Sequence, residues 1–333
     1  ERPIWKQGID FLSDTVSMML GRAYVERYFK EETKVEVLNM VLSIQSAYRD
    51  ALSKSAWLTE PTKRKALEKL ANMRFKIGYP DTWRDYSSLQ IAELDLIENY
   101  KRAARFEHMR SMKKIGQPID RSDWEHAPHE INAYYDPARN EFVLLAAILQ
   151  DPFFRTDASL AINYGGIGFI IGHEIGHGFD DQGSRFDGTG NLNDWWTPAD
   201  NAAYNRKKSI LIAQANAYQI LPGTFLKGEQ EIGEIMGDVS GAQIAFSAFQ
   251  ASISRYSVNK HEFYKEFFIQ LARTWRSKWR EEFLLFVLQS DPHPPSEFRA
   301  NGVVKQFSEF YSLFDVRPGD GMYLAPDQRV LLW

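Results

Sequence analysis

The sequence contains no cysteine. That excludes a disulfide framework and any thiolate metal site, so a transition metal here must be held by His, Asp or Glu. Long apolar runs are also missing. Apolar stretches such as IGFII at 167–171 are far shorter than the ~18 consecutive residues of a membrane-spanning helix. There is no basic excess: the formal net charge is −4, which argues against a general nucleic-acid binder. The chain opens ERPIW, with neither an initiator Met nor a signal-peptide pattern, as a processed chain would. No internal repeat or low-complexity segment is visible.

What is present has globular proportions. The 333 residues, 44% hydrophobic and 25% charged, suffice for one large domain or two ordinary ones with a sizeable core. The first third reads as helical. Thr33 and Glu36 have capping-box spacing ahead of an apolar stripe at Leu38, Val41, Leu42, Tyr48 and Leu52. Thr59 and Pro61 open a second helical segment, expected to run to residue 77, with Gly78 and Pro80 as its stop. A third is expected from about 88 to 114, with Leu89, Ile91, Leu96, Ile97, Tyr100 and Phe106 as its apolar positions.

The texture changes near residue 115. The segment INAYYDPARNEFVLLAAILQ alternates around Asp136-Pro137 and predicts a hairpin, or a strand leading into a buried segment. A glycine-tolerant apolar helix follows from Gly165. SRFDGTGNLNDWW is a loop, and helices are expected over about 198–218, 231–255 and 259–288.

Within FIIGHEIGHGFDDQG, His173 and His177 are four apart and Glu174 directly follows the first. On a helix both imidazoles point to one side and can share an ion, while Glu174 can reach a water there without being a ligand. Two buried imidazoles left unsatisfied would be costly, which favours a metal site over a plain helix pair. Zinc needs a third protein ligand. A downstream histidine of the extended motif would need Gly at 180 and His at 183, where the chain has Asp180 and Gly183. A glutamate shortly after the second histidine would fall near Trp196 and Thr197. Of the next glutamates, only Glu234 has an acidic residue one helical turn on, Asp238. An Asp there could accept the N–H of a ligand histidine.

Several segments resemble the neprilysin-like zinc endopeptidases, the M13 family. They are INAYYDPARNEFVLLAAILQDPFF, NYGGIGFIIGHEIGHGFDDQGSRFDGTGNLNDWW, GEIMGDVSGAQIAF and DPHPPSEFRANG. The resemblance implies an α+β fold, mainly helical with a small sheet: a thermolysin-like zincin domain over 98–333 plus part of a helical lid domain over 1–97. It implies one zinc ion on His173, His177 and Glu234, with Glu174 as general base and Asp238 accepting from a ligand histidine. Asn132 and the Ala133 backbone would hold the substrate main chain as an added strand. His293 would stabilise the oxyanion and Arg299 would grip a substrate carbonyl. Ile148, Phe153, Phe169, Ile170 and Trp275 would line the main hydrophobic pocket. The family usually has Asn after the ligand Glu, where this chain has Ile235.

The implied activity is hydrolysis of internal bonds in oligopeptides, on the amino side of large hydrophobic residues. The rival is a metal-dependent peptide-binding protein without turnover. An exopeptidase would need a group to capture a free α-amine, and no motif for one is visible. The family chain is about twice as long, so an N-terminal half, as a preceding segment or a second polypeptide, is an expected partner. With no cysteine and no anchor, the chain resembles a soluble bacterial member, secreted or periplasmic, with the cytoplasm left open.

Overall fold

The computed structural model describes residues 2–257 and 259–333. Its elements in chain order are α1 (Ile4–Tyr28), α2 (Glu31–Lys54), α3 (Glu60–Asn72), β1 (Arg74–Gly78), α4 (Leu96–Met112), β2 (Ala133–Asp136), β3 (Glu141–Leu145), α5 (Leu160–Asn163), α6 (Phe169–Gly176), α7 (Pro198–Asn216), β4 (Gln219–Leu221), β5 (Thr224–Phe225), α8 (Gly228–Ile253), α9 (Lys260–Thr274), α10 (Glu281–Ser290), α11 (Ser296–Val304) and α12 (Ser308–Phe314). Mainly helical with a small sheet, this is the expected α+β class.

The sheet has the order β1-β3-β2, with β1 parallel and β2 antiparallel to β3. Alternation sends its two faces to different places. Phe142 and Leu144 face a large core with Ile77, while Val143 and Leu145 face a smaller cluster with Met18, Tyr86, Trp124 and Ala127. The predicted hairpin is β2 and β3, and β2 is left as an edge of this sheet.

Residues 74–78, expected to end a helix, form β1 instead. RFKIG alternates, with Phe75 and Ile77 toward the large core and Lys76 paired to the buried Glu141 at 2.7 Å. The third helix begins at Leu96 rather than near 88, after Leu94 in the left-handed region (φ 61°). Its expected stripe is only partly covered: Ile91, Leu96, Ile97 and Tyr100 are exposed, Leu89 and Phe106 pack against the smaller cluster, and Ala103 is the buried residue of α4. In α2 the helix starts at Glu31, so Thr33 lies inside it and does not cap. Val37, Met40, Val41, Ile44, Tyr48 and Leu52 are buried, whereas Leu38 and Leu42 are exposed. The buried face thus keeps Val41, Tyr48 and Leu52 of the expected stripe and takes Val37, Met40 and Ile44 in place of Leu38 and Leu42. The segment expected as one helix over 259–288 is broken at Trp275–Arg280 into α9 and α10.

Helices α2 and α3 and strand β1 share the large core with α6 and α8. The Tyr48 hydroxyl of α2 donates to Gly172 O of α6 at 2.7 Å. Helix α1 and the loop residues Tyr86 and Trp124 form the smaller cluster, against which Phe106 of α4 packs.

Helix α8 is buried along most of its length and crosses α6 at glycines. Cβ atoms built on Gly172 and Gly241 would meet the opposing backbone at 2.5 and 2.4 Å. Only residues without side chains let the two helices approach this closely.

Candidate metal centre

One turn of π-helix, Tyr164–Gly168, joins α5 to α6. It frees the Ile167 N–H to donate to Phe153 O at 2.7 Å, tying the start of the histidine helix to the 151–154 loop. Helix α6 then presents His173 and His177 toward α8, which brings Glu234. One ligand atom from each of these three side chains lies within 4.8 Å of the others. His173 Nε2 is 3.3 Å from Glu234 Oε2, and His177 Nε2 is 3.5 Å from Glu234 Oε1.

The other imidazole nitrogens are committed elsewhere. His173 Nδ1 lies 2.8 Å from Asp238 Oδ1, and His177 Nδ1 lies 2.6 Å from Asp180 Oδ2. Each carboxylate accepts at Nδ1 and so leaves Nε2 free to act as a ligand. Asp180 is absent from the sequence-derived site. Its signal was its place one turn beyond His177.

Asp238 in turn is gripped by Arg299, whose Nε and Nη2 donate at 2.8 and 2.7 Å. The guanidinium stacks on Trp275 at 3.9 Å and lies 3.5 Å from Glu234 Oε2. Arg299 is therefore engaged behind His173 and Glu234, with Asp238, Glu234, His173 Nδ1 and the Trp275 ring as its neighbours.

Burial opposes charging His173, but Asp238 and Glu234 outweigh it and push its pKa up to about 10. Burial would raise Glu234, yet His173, His177 and Arg299 hold it far below the usual carboxylate range. Burial raises Glu174 against the opposing pull of His173 and His177. The buried Oε2 of Glu174 has no hydrogen-bond partner, and the cations around Glu234 Oε2 stand 3.2–3.5 Å away without a well-aligned hydrogen bond. Two oriented imidazoles and an ionised carboxylate fit a divalent zinc ion, which would take the place of the competing protons among His173, His177 and Glu234.

A cleft of about 510 Å³ opens here, lined by His173, Glu174, His177, Glu234, His293, Asn132 and Ala133 among others. His293 Nε2 lies 3.2 Å from Glu234 Oε2, and its Nδ1 lies 2.7 Å from Asp291 Oδ1. With Asp291 accepting at Nδ1, Nε2 carries a donor proton only in the imidazolium form. Ala133 opens the edge strand β2, and its N–H donates to the Asn132 side-chain oxygen at 2.9 Å. The five expected pocket residues do not line this cleft. Phe169 is buried, with its ring 6.3 Å from His173 and in edge contact with Trp275 at 5.8 Å. Ile148 and Ile170 are buried, and Phe153 packs against the same core. Trp275 lines a different cavity of about 630 Å³ between α9, α10 and α11.

Residues 132–330 match the sequence pattern described as Peptidase family M13, and residues 1–80 match a second pattern with the same description. A neutral endopeptidase of Lactobacillus helveticus is 36% identical over 330 residues, 98% of this chain and 50% of its own length. Human neprilysin is 30% identical, over 100% of this chain and 46% of its own. A crystal structure of a Mycobacterium tuberculosis zinc metalloprotease in complex with inhibitor superposes with TM-score 0.94 at 41% identity, covering 100% of this chain and 51% of that one. The chain thus spans about half the length of the relatives it matches. With the family matched at both ends of the chain and the ligand geometry assembled between α6 and α8, the chain belongs to peptidase family M13.

Proposed function

We propose that this chain carries the catalytic centre of a zinc-dependent endopeptidase acting on oligopeptides. The observation that carries the reading is the convergence of the His173, His177 and Glu234 ligand atoms within 4.8 Å beside the buried, unpartnered carboxylate of Glu174. Bound there, zinc would supply Lewis-acid polarisation of a peptide carbonyl and of a water.

The chain's own residues do the rest. Glu174 accepts a proton as water attacks the scissile carbonyl carbon, and returns it to the nitrogen as the C–N bond breaks. Burial, which raises its pKa, suits it to that exchange. His293, whose Nε2 lies beside Glu234 in the cleft, donates to the developing oxyanion. The outward face of Ala133 on edge strand β2, with Asn132, accepts the substrate main chain as a further strand. Arg299 braces Asp238 and turns to a substrate carbonyl only with an arm not already spent on the carboxylates.

Preference for large hydrophobic residues on the carboxyl side of the cut is proposed from the family resemblance; of its expected pocket residues Phe169, Ile170, Ile148, Phe153 and Trp275, Phe169 packs beside His173. The relatives are about twice as long, so a helical lid over the cleft is proposed to be completed by an N-terminal half of the same protein. Among the described residues no helix is long and apolar enough to cross a membrane, and a secreted or periplasmic bacterial setting is part of the proposal. A cleavage map on a mixed peptide library, with and without chelator, tests it. Internal cleavage abolished by chelator and restored by zinc supports the reading. Tight peptide binding without cleavage by zinc-loaded protein favours the binding-protein alternative instead.

A further inference from the structure

Lysine is among the residues least often buried, yet Lys69 of α3 has no accessible surface. Its ammonium is inserted between the rings of Tyr135 and Phe179, at 5.9 and 5.8 Å. There Nζ donates to Gly183 O at 2.6 Å and to Phe186 O at 2.7 Å. Burial pulls its pKa down to about 7 against Asp180 and Asp187, which favour the charged form. An apolar side chain would fill the same space without that desolvation cost.

The two carbonyls belong to the turn that directly follows the histidine helix. Its other anchor is Asp180, whose Oδ1 accepts the N–H groups of Gln182 and Gly183 at 2.8 and 2.6 Å while Oδ2 meets His177 Nδ1. Gly183 is therefore held on both sides, by Asp180 at its N–H and by Lys69 at its carbonyl. The turn is folded so tightly that a Cβ on Gly183 would sit 1.8 Å from His177 O. Asn140 braces the opposite side, donating to both Lys69 O and Gly188 O at 2.9 and 3.1 Å.

We infer that Lys69 is a positioning residue for the metal centre: it clamps the 183–186 turn so that Asp180 stays beneath His177 Nδ1 and His177 keeps Nε2 aimed at the ion. This rests on the zinc reading of the site. Residues that orient metal ligands typically change metal affinity about 10–100-fold when replaced, and a residue acting through Asp180 cannot cost more than Asp180 itself.

The test uses the zinc-loaded protein, with zinc affinity measured by chelator competition and stability by thermal unfolding of the metal-free form. Lys69→Met and Asp180→Asn are each expected to weaken zinc binding about 10-fold or more. The double variant should be no weaker than Asp180→Asn alone, because the two act through one path. Replacing zinc by cobalt should show the same altered ligand-field spectrum in both single variants. If Lys69→Met does not fold, Lys69→Gln, which keeps a donor but no charge, is read in the same way. A Lys69 variant that is less stable yet binds zinc as tightly as the parent overturns the inference. So does a double variant whose two losses add. A parent protein that binds no zinc overturns the site reading itself, and the inference with it.

Discussion

The contact between α6 and α8 makes Gly172 the sharpest place to perturb this centre without touching a ligand. A methyl group there would lie 2.5 Å from Gly241 O and 2.9 Å from Gly241 Cα. Ordinary contact begins at 3.4 Å, so the helices must part locally by about 0.9 Å. The obstructing atoms are backbone, so no side chain can rotate away. Overpacking of this kind costs about 1–3 kcal/mol, and the upper half of that range applies to backbone obstruction. Greater helix propensity returns roughly 0.5–1 kcal/mol. Net destabilisation by Gly172→Ala should therefore be about 1–2.5 kcal/mol. The effect on zinc should be disproportionate. α6 carries both histidines and α8 carries Glu234, and ligand distances tolerate only about ±0.2 Å. Chelator competition should show zinc binding weakened at least ~10-fold, the scale seen when ligand orientation is lost. Gly8→Ala is the control: it lies in α1 with nothing within 4 Å of the added carbon, so it should stabilise slightly and leave zinc unaffected. If Gly172→Ala matches the parent in both stability and zinc affinity, close helix contact does not set the ligand spacing.

Three further outcomes are expected. Glu174→Gln should keep zinc but lose about 10²–10⁴ in turnover, since an amide preserves shape and cannot accept the proton; retention of more than about a tenth of the rate removes Glu174 from the base role. Arg299→Leu leaves the buried Asp238 with His173 Nδ1 as its remaining partner and should destabilise the fold by up to about 3–5 kcal/mol in denaturant unfolding; a change under about 1 kcal/mol would show that the arginine is not structurally required. Glu231 is buried, and burial pushes its pKa from the ordinary 4.5 to about 7. Between those values the folded state holds a proton that the unfolded chain has released, so stability should fall as pH rises from about 4.5 to 7 and then level off. Glu231→Gln removes that loss, which is at most about 3 kcal/mol; it should raise the unfolding temperature at pH 8 and change little at pH 4.5, and equal shifts at both pH values would refute the assignment.

The sequence by itself determined what depends on local periodicity. His173, Glu174 and His177 were legible because the helical repeat places i and i+4 on one side whatever surrounds them. The β2–β3 hairpin was legible from alternation about Asp136-Pro137. Glu234 and Asp238 share the same i, i+4 relation, but choosing them required excluding nearer spacings, since nothing local says that α8 lies against α6. Asp180 was available to the same reasoning and was missed. Tertiary structure alone decided the rest. RFKIG is a strand because β3, more than sixty residues later, supplies its hydrogen bonds. Val41, Tyr48 and Leu52 of the expected α2 stripe are buried but Leu38 and Leu42 are not, because which adjoining positions complete that face depends on where α3, α6 and α8 pack against it. Arg299 is drawn onto Asp238 rather than left for substrate alone because a buried carboxylate needs a cation. Lys69 reads in the sequence as one more charge on a polar helix. Only the fold brings it 114 positions along the chain to the carbonyl of Gly183, where an ammonium satisfies a turn that water cannot reach.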